Sequence, residues 1–237
     1  MNYIILAAGL GKRLAPLTYN QPKCLFNVCQ GYSIIQKMID VIHFHGNSAE
    51  IVTVTGFKND KMMGSIKNTS FIYNPFYAVT NSIASLWFAK KYLNDDVTII
   101  NADIVMENQL IEDIVVQDYK ESYVLIDSSI KINGDYNVQV LNDNIIVMSK
   151  DLVNYFGEYA GIVKLTKYHA VLLSYEIECM VSDGYYNQWY EDALVQLIFK
   201  DRIKLKYKDI KEYEWTEVDC VDDLIKAKSI HYKDNIL

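Results

Sequence analysis

The residues best suited to chemistry stand near the start of the chain, where glycines and cations follow an apolar run. The run covers residues 3–8 and is typical of a buried parallel strand. No Asp or Glu occurs before Asp40, although the whole chain has a formal net charge of −7. A cationic glycine loop at the end of a buried strand predicts a phosphate-binding site. The glycines and cations are Gly9, Gly11, Lys12, Arg13 and Lys23.

Two common phosphate-binding motifs do not fit this loop. A Walker A motif requires G-x-x-x-x-G-K-[ST], but Leu6 stands at its first glycine and Arg13 at its Ser/Thr position. A dinucleotide-binding fingerprint requires a third glycine where Leu14 stands. The loop must therefore belong to another class of phosphate-binding segment.

The remaining pattern is Gly9-x-Gly11-x-Arg13 followed, after eight residues, by Pro22-Lys23. The full string L-A-A-G-x-G-x-R-(8)-P-K-x-L resembles the signature of the nucleotidyltransferase family that includes the sugar-phosphate nucleotidylyltransferases. The resemblance implies that an acceptor phosphate attacks the α-phosphorus of a nucleoside triphosphate and that pyrophosphate leaves. It also implies catalytic roles for Arg13 and Lys23. The triphosphate-binding residues expected from it are Leu6, Ala7, Ala8, Gly9, Gly11, Lys12 and Arg13.

Two carboxylates far apart in sequence are candidate metal ligands. Asp103 ends a predicted buried strand in the string I-I-N-A-D, and Asp219 follows a predicted strand in the acidic string E-V-D. The resemblance implies that both bind Mg²⁺ and are catalytic, although N-A-D-I replaces the usual Gly-Asp-Asn context. A turn role for Asp103 and an N-cap role for Asp219 are the alternatives, and capping need not exclude metal binding.

Two further segments resemble parts of the small cytidylyltransferases, which act on phosphocholine, aminoethylphosphonate or phosphorylated amino-acid amides. The first is T-N-S-I-A-S-L-W after N-P-F-Y; its Thr80, Asn81 and Ser82 are candidates for binding the base, with helix capping as the alternative for Thr80 and Asn81. The second is Y-Y-N-Q-W-Y-E-D, in which aromatic faces beside carboxylates could bind an ammonium group or could simply pack in the core. The predicted acceptor-binding residues are Trp189, Glu191, Asp192 and Glu217.

The elements that position these residues are predicted from hydrophobic periodicity and turn residues. The first part of the chain predicts a strand over 3–8, a helix over 33–45, strands over 50–55 and 71–73, a helix over 81–93 and a strand over 97–102. This order is typical of a doubly wound sheet, whose ligands bind at the carboxyl ends of the strands.

The second part predicts short antiparallel strands over 123–127, 137–141 and 145–148, with turns at Asn133-Gly134 and at 142–144. Further along are a strand over 160–165, a helix to about 182 capped by Thr166, a helix over 188–200, strands over 203–207 and 215–218, and a helix over 222–231. We expect an α/β fold with a Rossmann-like mixed, mostly parallel sheet flanked by helices and an antiparallel hairpin insertion. Residues 1–237 would form a single nucleotidyltransferase domain, with a nucleotide-binding half over 1–118 and an acceptor-binding half over 119–237.

Composition and charge narrow the class of protein. The acidic balance argues against a surface for nucleic acid or anionic membrane, and no apolar stretch is long enough to span a bilayer or to act as a signal peptide. The four cysteines lack metal-binding spacing, so we expect small buried side chains in a reducing compartment. They are Cys24, Cys29, Cys179 and Cys220. We therefore expect a cytoplasmic protein. The sequence leaves open whether it forms a homodimer.

The favoured interpretation is a CTP-dependent cytidylyltransferase that uses Mg²⁺ and transfers CMP to phosphoglutamine or phosphocholine, for capsule or surface-polysaccharide decoration. A phosphate monoester is mostly a dianion at pH 7 and needs no general base to attack. One alternative is a UTP- or dTTP-dependent hexose-1-phosphate nucleotidylyltransferase. Another, of a different class, is a non-catalytic nucleotide-binding regulator.

Overall fold

The computed structural model of the chain describes residues 1–29, 31–46, 49–131 and 136–234. Its strands are β1 (Asn2–Ala7), β2 (Asn27–Cys29), β3 (Tyr32–Ser33), β4 (Glu50–Thr55), β5 (Ser70–Tyr73), β6 (Val97–Asn101), β7 (Ile104–Met106), β8 (Tyr123–Asp127), β9 (Asn137–Leu141), β10 (Asn144–Ser149), β11 (Gly157–Leu165), β12 (Lys206–Asp209) and β13 (Trp215–Glu217). Its helices are α1 (Ile34–His45), α2 (Asn59–Ser65), α3 (Ser82–Phe88), α4 (Asn108–Leu110, continued by a π-helical turn over Ile111–Val115), α5 (Lys167–Ser182), α6 (Tyr190–Phe199) and α7 (Val221–Asp234).

The central sheet has a parallel part built on β1. β1 pairs in parallel with β4 on one side and with β6 on the other, and β5 extends the sheet beyond β4. These strands are rich in β-branched residues, and β4 and β6 are buried on both faces along most of their length. Their carboxyl ends therefore lie at one edge of the sheet, where the loops after β1 and β6 meet.

The remaining strands join this sheet mainly in antiparallel fashion through β11. β11 pairs antiparallel with β6, with β8 and, at its amino-terminal end, with β9. β9 and β10 form the predicted hairpin, whose tight turn places Asn142 at φ 47° and Asp143 at φ 59°. Asn and Asp tolerate this left-handed conformation better than most residues, so the turn forms here. The mixed, mostly parallel sheet flanked by helices confirms the expected fold class.

Helices cover both faces of the sheet. The residues that α3, α5 and α6 bury against one face include Leu86, Leu173 and Leu194, and those that α1 buries against the other include Met38 and Ile39. Each fully buried aliphatic side chain of this size contributes about 1.5–3 kcal/mol relative to exposure. A third cluster lies beneath α7 and joins it to the loop after β1 through Leu14 and Ile230. These buried apolar contacts thus hold the loop after β1 in place.

Most predicted elements are present, and the differences have local causes. Ser33 caps α1 by accepting a hydrogen bond from the Gln36 backbone N–H, and Gly46 ends the helix. Thr166 is the N-cap residue of α5 as predicted, although its side chain makes no capping hydrogen bond. The strand predicted over 203–207 begins at Lys206, because parallel pairing with β8 sets its register. The Asn133-Gly134 turn lies outside the described residues.

Two further predictions concern the cysteines and membrane-spanning segments. Cys24 is buried as expected, but Cys179 and Cys220 are exposed, so the prediction of buried cysteines is wrong for these two. Cys179 lies on the outer face of α5, where no other element covers it. Within the described ranges, no helix combines the length and the apolar content needed to cross a membrane.

Candidate active site

The loop after β1 presents backbone and cations at the carboxyl edge of the sheet. Gly11 adopts φ 62°, a left-handed conformation that favours glycine, and the Thr18 hydroxyl donates to its carbonyl at 2.9 Å. A 3₁₀ turn over Lys12–Leu14 follows, in which Leu14 is buried while the other two side chains are exposed. The apolar anchor therefore leaves Lys12 and Arg13 at the surface of the loop.

Lys23 reaches the same edge from a second 3₁₀ turn. The turn covers Lys23–Leu25, and burial of Cys24 and Leu25 turns Lys23 away from the core. Its Nζ lies 2.5 Å from Asp103 Oδ2 and 2.9 Å from Asp219 Oδ1. Burial by itself lowers the pKa of Lys23, but the two carboxylates outweigh burial and raise that pKa above its ordinary value. Lys23 is therefore firmly protonated.

Strand pairing brings the two distant aspartates together. Asp103 is the second residue after β6, and the next strand, β7, pairs antiparallel with β13. The Val218 backbone N–H extends this pairing by donating to the Asp103 carbonyl at 3.0 Å. Because Asp219 comes immediately after Val218, its carboxylate lies beside that of Asp103.

Three carboxylates form a cluster that could hold a divalent cation. One oxygen from each of Asp103, Glu217 and Asp219 lies within 4.8 Å of the others. Asp103 Oδ1 is buried and has no hydrogen-bond partner among the described residues. Carboxylate oxygens are the donors that Mg²⁺ prefers, and an unpaired buried oxygen is costly unless a ligand contacts it. The residues present therefore fit a hard divalent ion.

Arg13 closes the cluster from the loop after β1. Its Nη2 lies 2.5 Å from Asp219 Oδ2, while its side chain is still 60% exposed. A chain of ion pairs thus connects the predicted catalytic residues Arg13, Asp219, Lys23 and Asp103, although residue 219 lies 196 positions from residue 23. Cations and carboxylates alternate across this end of the site.

A cleft of about 650 Å³ opens over this cluster. The predicted triphosphate-binding residues all line it, as do Thr80, Asn81 and Ser82. Of the predicted acceptor-binding residues, Trp189, Glu191 and Glu217 line the cleft, and Asp192 does not. The cleft is large enough for two small substrates side by side.

The segment before α3 combines structural bonds with a place on the cleft wall. Asn81 is the N-cap of α3 and accepts a hydrogen bond from the Ser82 backbone N–H at 2.8 Å. The Thr80 hydroxyl donates to the Phe76 carbonyl, and the Ser82 hydroxyl accepts from the Tyr190 backbone N–H. The capping role considered for Asn81 is therefore real, and it coexists with a position facing the cleft.

The other end of the cleft contains a buried carboxyl group. Glu191 is only 4% exposed, and its Oε2 has no hydrogen-bond partner among the described residues. Burial, with a smaller contribution from Asp192, raises the pKa of Glu191 to about 8. Nearby, the Lys150 ammonium lies 4.7 Å from the centre of the Trp189 ring. This end of the cleft therefore has unmatched polar groups.

Asp192 caps a helix, and Glu217 belongs to the carboxylate cluster. Asp192 Oδ2 accepts from the Trp189 backbone N–H at 3.0 Å and Oδ1 from the Tyr136 hydroxyl at 3.3 Å, so this side chain caps α6. Glu217 belongs to the carboxylate cluster with the two aspartates. The two acidic residues that follow Trp189 in sequence are thus divided, because Asp192 caps α6 and Glu191 lines the cleft.

The cap of the closing helix comes from an unexpected residue. The backbone N–H groups of Asp219 and Cys220 donate to Asp223 Oδ2 at 2.9 and 2.7 Å. Asp223, in the first turn of α7, therefore binds the two backbone N–H groups that precede the helix. This leaves the Asp219 carboxylate directed at Lys23 and Arg13.

Several residues that line the cleft were missed from the sequence. Lys150 follows β10, and only the folding of the β9–β10 hairpin brings it to the cleft. Asn101 and Ser85 also line it, and both stand within strings already associated with the site, which could have indicated them. Lys150 had no such signal, because a lone Lys after a short strand is usually solvated.

Comparison with known proteins decides the family. The model of the family described as "Nucleotidyl transferase" matches residues 2–169. The chain belongs to the nucleotidyl transferase family. The matched range contains the loop after β1, Lys23 and Asp103, so this nucleotidyl transferase carries three of its four predicted catalytic residues within the family match.

Curated relatives of this nucleotidyl transferase include two cytidylyltransferases. The CTP:phosphoglutamine cytidylyltransferase of Campylobacter jejuni is 27% identical over 94% of this chain and 98% of its own length. The choline-phosphate cytidylyltransferase of Streptococcus pneumoniae is 27% identical over 99% of this chain and all of its own. A solved CTP:phosphocholine cytidylyltransferase from Streptococcus pneumoniae has the same fold, with a TM-score of 0.79, 20% identity and coverage of 97% of this chain and 98% of that one.

Proposed function

We propose that this nucleotidyl transferase transfers CMP from CTP to the phosphate of a small phosphorylated amine or amino-acid derivative and releases pyrophosphate. The observation that carries the proposal is the contact of Lys23 with both Asp103 and Asp219 at the mouth of the loop after β1. This arrangement puts positive charge and metal-binding oxygens beside a backbone segment suited to phosphates. The two cytidylyltransferase relatives support CTP as the donor.

The loop after β1 would hold the triphosphate. A methyl group at Gly9 would meet no heavy atom of the protein within 4 Å, so the space above this residue is open to a ligand. Lys12 and Arg13 stand exposed beside it and supply the charge that phosphates require. The triphosphate can therefore approach the backbone closely on one side and cations on the other.

Asp103 and Asp219, with Glu217 in the same cluster, would hold Mg²⁺. When bound, the ion supplies positive charge that polarises phosphoryl oxygens and orients the triphosphate. The protein contributes hard oxygen ligands that strand pairing places together, and it keeps Lys23 protonated beside them. The neighbouring cations limit the repulsion among three carboxylates.

The transfer itself needs alignment more than proton chemistry. An oxygen of the acceptor phosphate forms a bond to the α-phosphorus, and the bond from that phosphorus to the bridging oxygen of the β-phosphate breaks. Pyrophosphate leaves with the electron pair of the broken bond. The attacking phosphate is mostly dianionic at neutral pH, so no general base is required. Arg13 and Lys23 would stabilise the charge that develops on the transferring group.

The two substrates would occupy opposite ends of the cleft. The segment Thr80–Ser82 would contact the base, and Trp189 with Glu191 would contact the acceptor. Within a single domain, residues 1–118 would form the nucleotide-binding half and residues 119–237 the acceptor-binding half. We propose that the product serves capsule or surface-polysaccharide decoration and is made in the cytoplasm, where CTP is available.

Pyrophosphate release tests this function. The protein is incubated with Mg²⁺ and each of CTP, UTP, ATP and dTTP, crossed with phosphoglutamine, phosphocholine, aminoethylphosphonate and glucose-1-phosphate. Turnover with CTP and a nitrogen-bearing acceptor is expected. Turnover limited to UTP or dTTP with glucose-1-phosphate would instead establish a sugar-phosphate enzyme, and no turnover by folded protein would indicate a regulator.

A further inference from the structure

The acceptor end of the cleft contains a buried carboxyl group and an exposed ammonium group. Glu191 comes from the start of α6, and Lys150 comes from the residue after β10. Both line the cleft, and they are close enough for the Lys150 charge to lower the pKa of Glu191. A ligand placed here meets a hydrogen-bond acceptor and a cation at once.

The Glu191 carboxyl group can accept a hydrogen bond from the ligand. Its side chain is 4% exposed, and while the Asn101 side chain bonds to the carboxyl group, Oε2 has no partner among the described residues. Leaving such an oxygen unpaired costs about 1–3 kcal/mol. An N–H group of a ligand would satisfy it. A quaternary ammonium has no N–H, so it would bury Glu191 without pairing that oxygen.

Lys150 already uses the aromatic surface on which a quaternary ammonium would lie. Its ammonium stands 4.7 Å from the centre of the Trp189 ring, and the other aromatic neighbour, Tyr136, approaches that ring edge-on with centroids 6.5 Å apart. A second cation over Trp189 would be repelled by Lys150. An anionic group of the ligand would instead be attracted to it.

We propose that the acceptor carries both a carboxylate, bound by Lys150, and an N–H group, bound by Glu191, in addition to the phosphate whose oxygen attacks the α-phosphorus of CTP. The acceptor is then a phosphorylated amino acid or amino-acid amide, and a phosphorylated quaternary ammonium compound is a poor substrate. This inference rests on the proposed transfer of CMP and names the substrate class at the same site.

A graded set of acceptors separates the two contacts. Phosphoglutamine and O-phosphoserine have a carboxylate and N–H groups, phosphoethanolamine has N–H groups alone, and phosphocholine has neither. With CTP and Mg²⁺, we expect kcat/KM to fall about tenfold from the better amino-acid phosphate to phosphoethanolamine, and about tenfold again to phosphocholine, because each step leaves one protein group unpaired. Equal or higher kcat/KM for phosphocholine would overturn the inference.

Two variants assign each step to its residue. Lys150→Met should remove the advantage of the amino-acid phosphates over phosphoethanolamine and leave the ratio of phosphoethanolamine to phosphocholine unchanged. Glu191→Gln should reduce that second ratio. Lys120→Met, at an exposed lysine outside the cleft, is the control and should change neither ratio. If Lys150→Met instead lowers kcat/KM equally for all four acceptors, Lys150 contacts a phosphate, and the carboxylate assignment is wrong.

Binding measurements keep this test independent of turnover. Titration calorimetry of the same four phosphates into the CTP-bound protein without Mg²⁺, so that no transfer occurs, should give the same order of affinity. If no acceptor yields pyrophosphate, the proposed transfer fails, but the order of affinities still decides the inference. Tightest binding of phosphocholine would overturn it whatever the turnover.

Discussion

The two ends of the cleft satisfy their charges in different ways. At the triphosphate end, Lys23 pairs with Asp103 and Asp219, and Arg13 pairs with Asp219. At the acceptor end, Glu191 has an unpaired oxygen in the described structure. The first end therefore maintains its geometry through internal ion pairs, whereas the second needs a ligand to complete its polar contacts.

This difference separates chemistry from specificity. Ion pairs that are already formed keep the charged groups in place for a reaction common to a whole family, so they are preorganised for the transfer. An unsatisfied carboxyl group makes binding depend strongly on the groups that the ligand brings. Changes at the first end should therefore affect turnover with every acceptor. Changes at the second should affect choice of acceptor and stability.

The largest effect is expected for Asp103→Asn. The amide keeps the shape of the side chain but removes the negative charge that Lys23 contacts and that the proposed divalent ion would also contact. We expect kcat to fall about a thousandfold with every acceptor, while the thermal unfolding midpoint stays within a few degrees. Steady-state pyrophosphate release and circular dichroism measure the two quantities.

Asp95→Asn is the matched control for this change, because Asp95 is an exposed carboxylate outside the cleft that contacts the amino terminus and the Asp96 backbone N–H. It should leave kcat unchanged. A near-normal kcat for Asp103→Asn would show that the carboxylate cluster does not take part in the transfer, and the contrast between the two ends would disappear.

The next largest effect is expected in the pH dependence of stability at the other end. The folded protein raises the pKa of Glu191 from 4.5 to about 8, so between these values it keeps a proton that the unfolded chain has released. The free energy of unfolding contributed by Glu191 therefore falls as pH rises through this window. Lys150 reduces the shift and Asp192 increases it, but burial dominates.

Glu191→Gln removes this dependence. The variant should gain stability relative to the original protein as pH rises from 5 to 8, by about 3 kcal/mol in all. Urea unfolding at several pH values measures the gain, and Glu121→Gln at an exposed position gives the background. A gain that is constant with pH would mean that Glu191 is ionised in the folded protein.

A smaller effect is expected for Gly9→Ala at the triphosphate end. The added methyl group meets no protein atom, so the fold should be unaffected, but it occupies space through which a triphosphate would approach the backbone. We expect the KM for CTP to rise about tenfold, with the order of acceptors unchanged. Gly64→Ala, where a methyl group also meets nothing within 4 Å, is the control. An unchanged KM would place the triphosphate elsewhere.

The triphosphate end could be predicted from the sequence because most of its residues lie close together in the chain. Gly9, Gly11, Arg13 and Lys23 lie within one short segment, and the strand before them is apolar throughout. The resemblance added Asp103 and Asp219, and strand pairing brings both to the loop. Their functional roles are still predictions, but the structure does place them in contact.

The acceptor end was harder to predict because tertiary packing determines which of its side chains face the cleft. Asp192 and Glu191 are adjacent in sequence, yet one caps α6 and the other faces the cleft, a difference set by the first turn of the helix. Lys150 reaches the cleft only because the β9–β10 hairpin folds. In the same way, the register of β12 follows from pairing with β8, and no local pattern specifies it.

The most direct test of the triphosphate end is anomalous scattering from crystals grown with CTP and Mn²⁺. We predict an anomalous peak at roughly 2 Å from carboxylate oxygens of both Asp103 and Asp219, with the triphosphate lying along the loop over residues 9–13. A manganese peak away from both aspartates, or a triphosphate that does not contact this loop, would contradict the proposed arrangement.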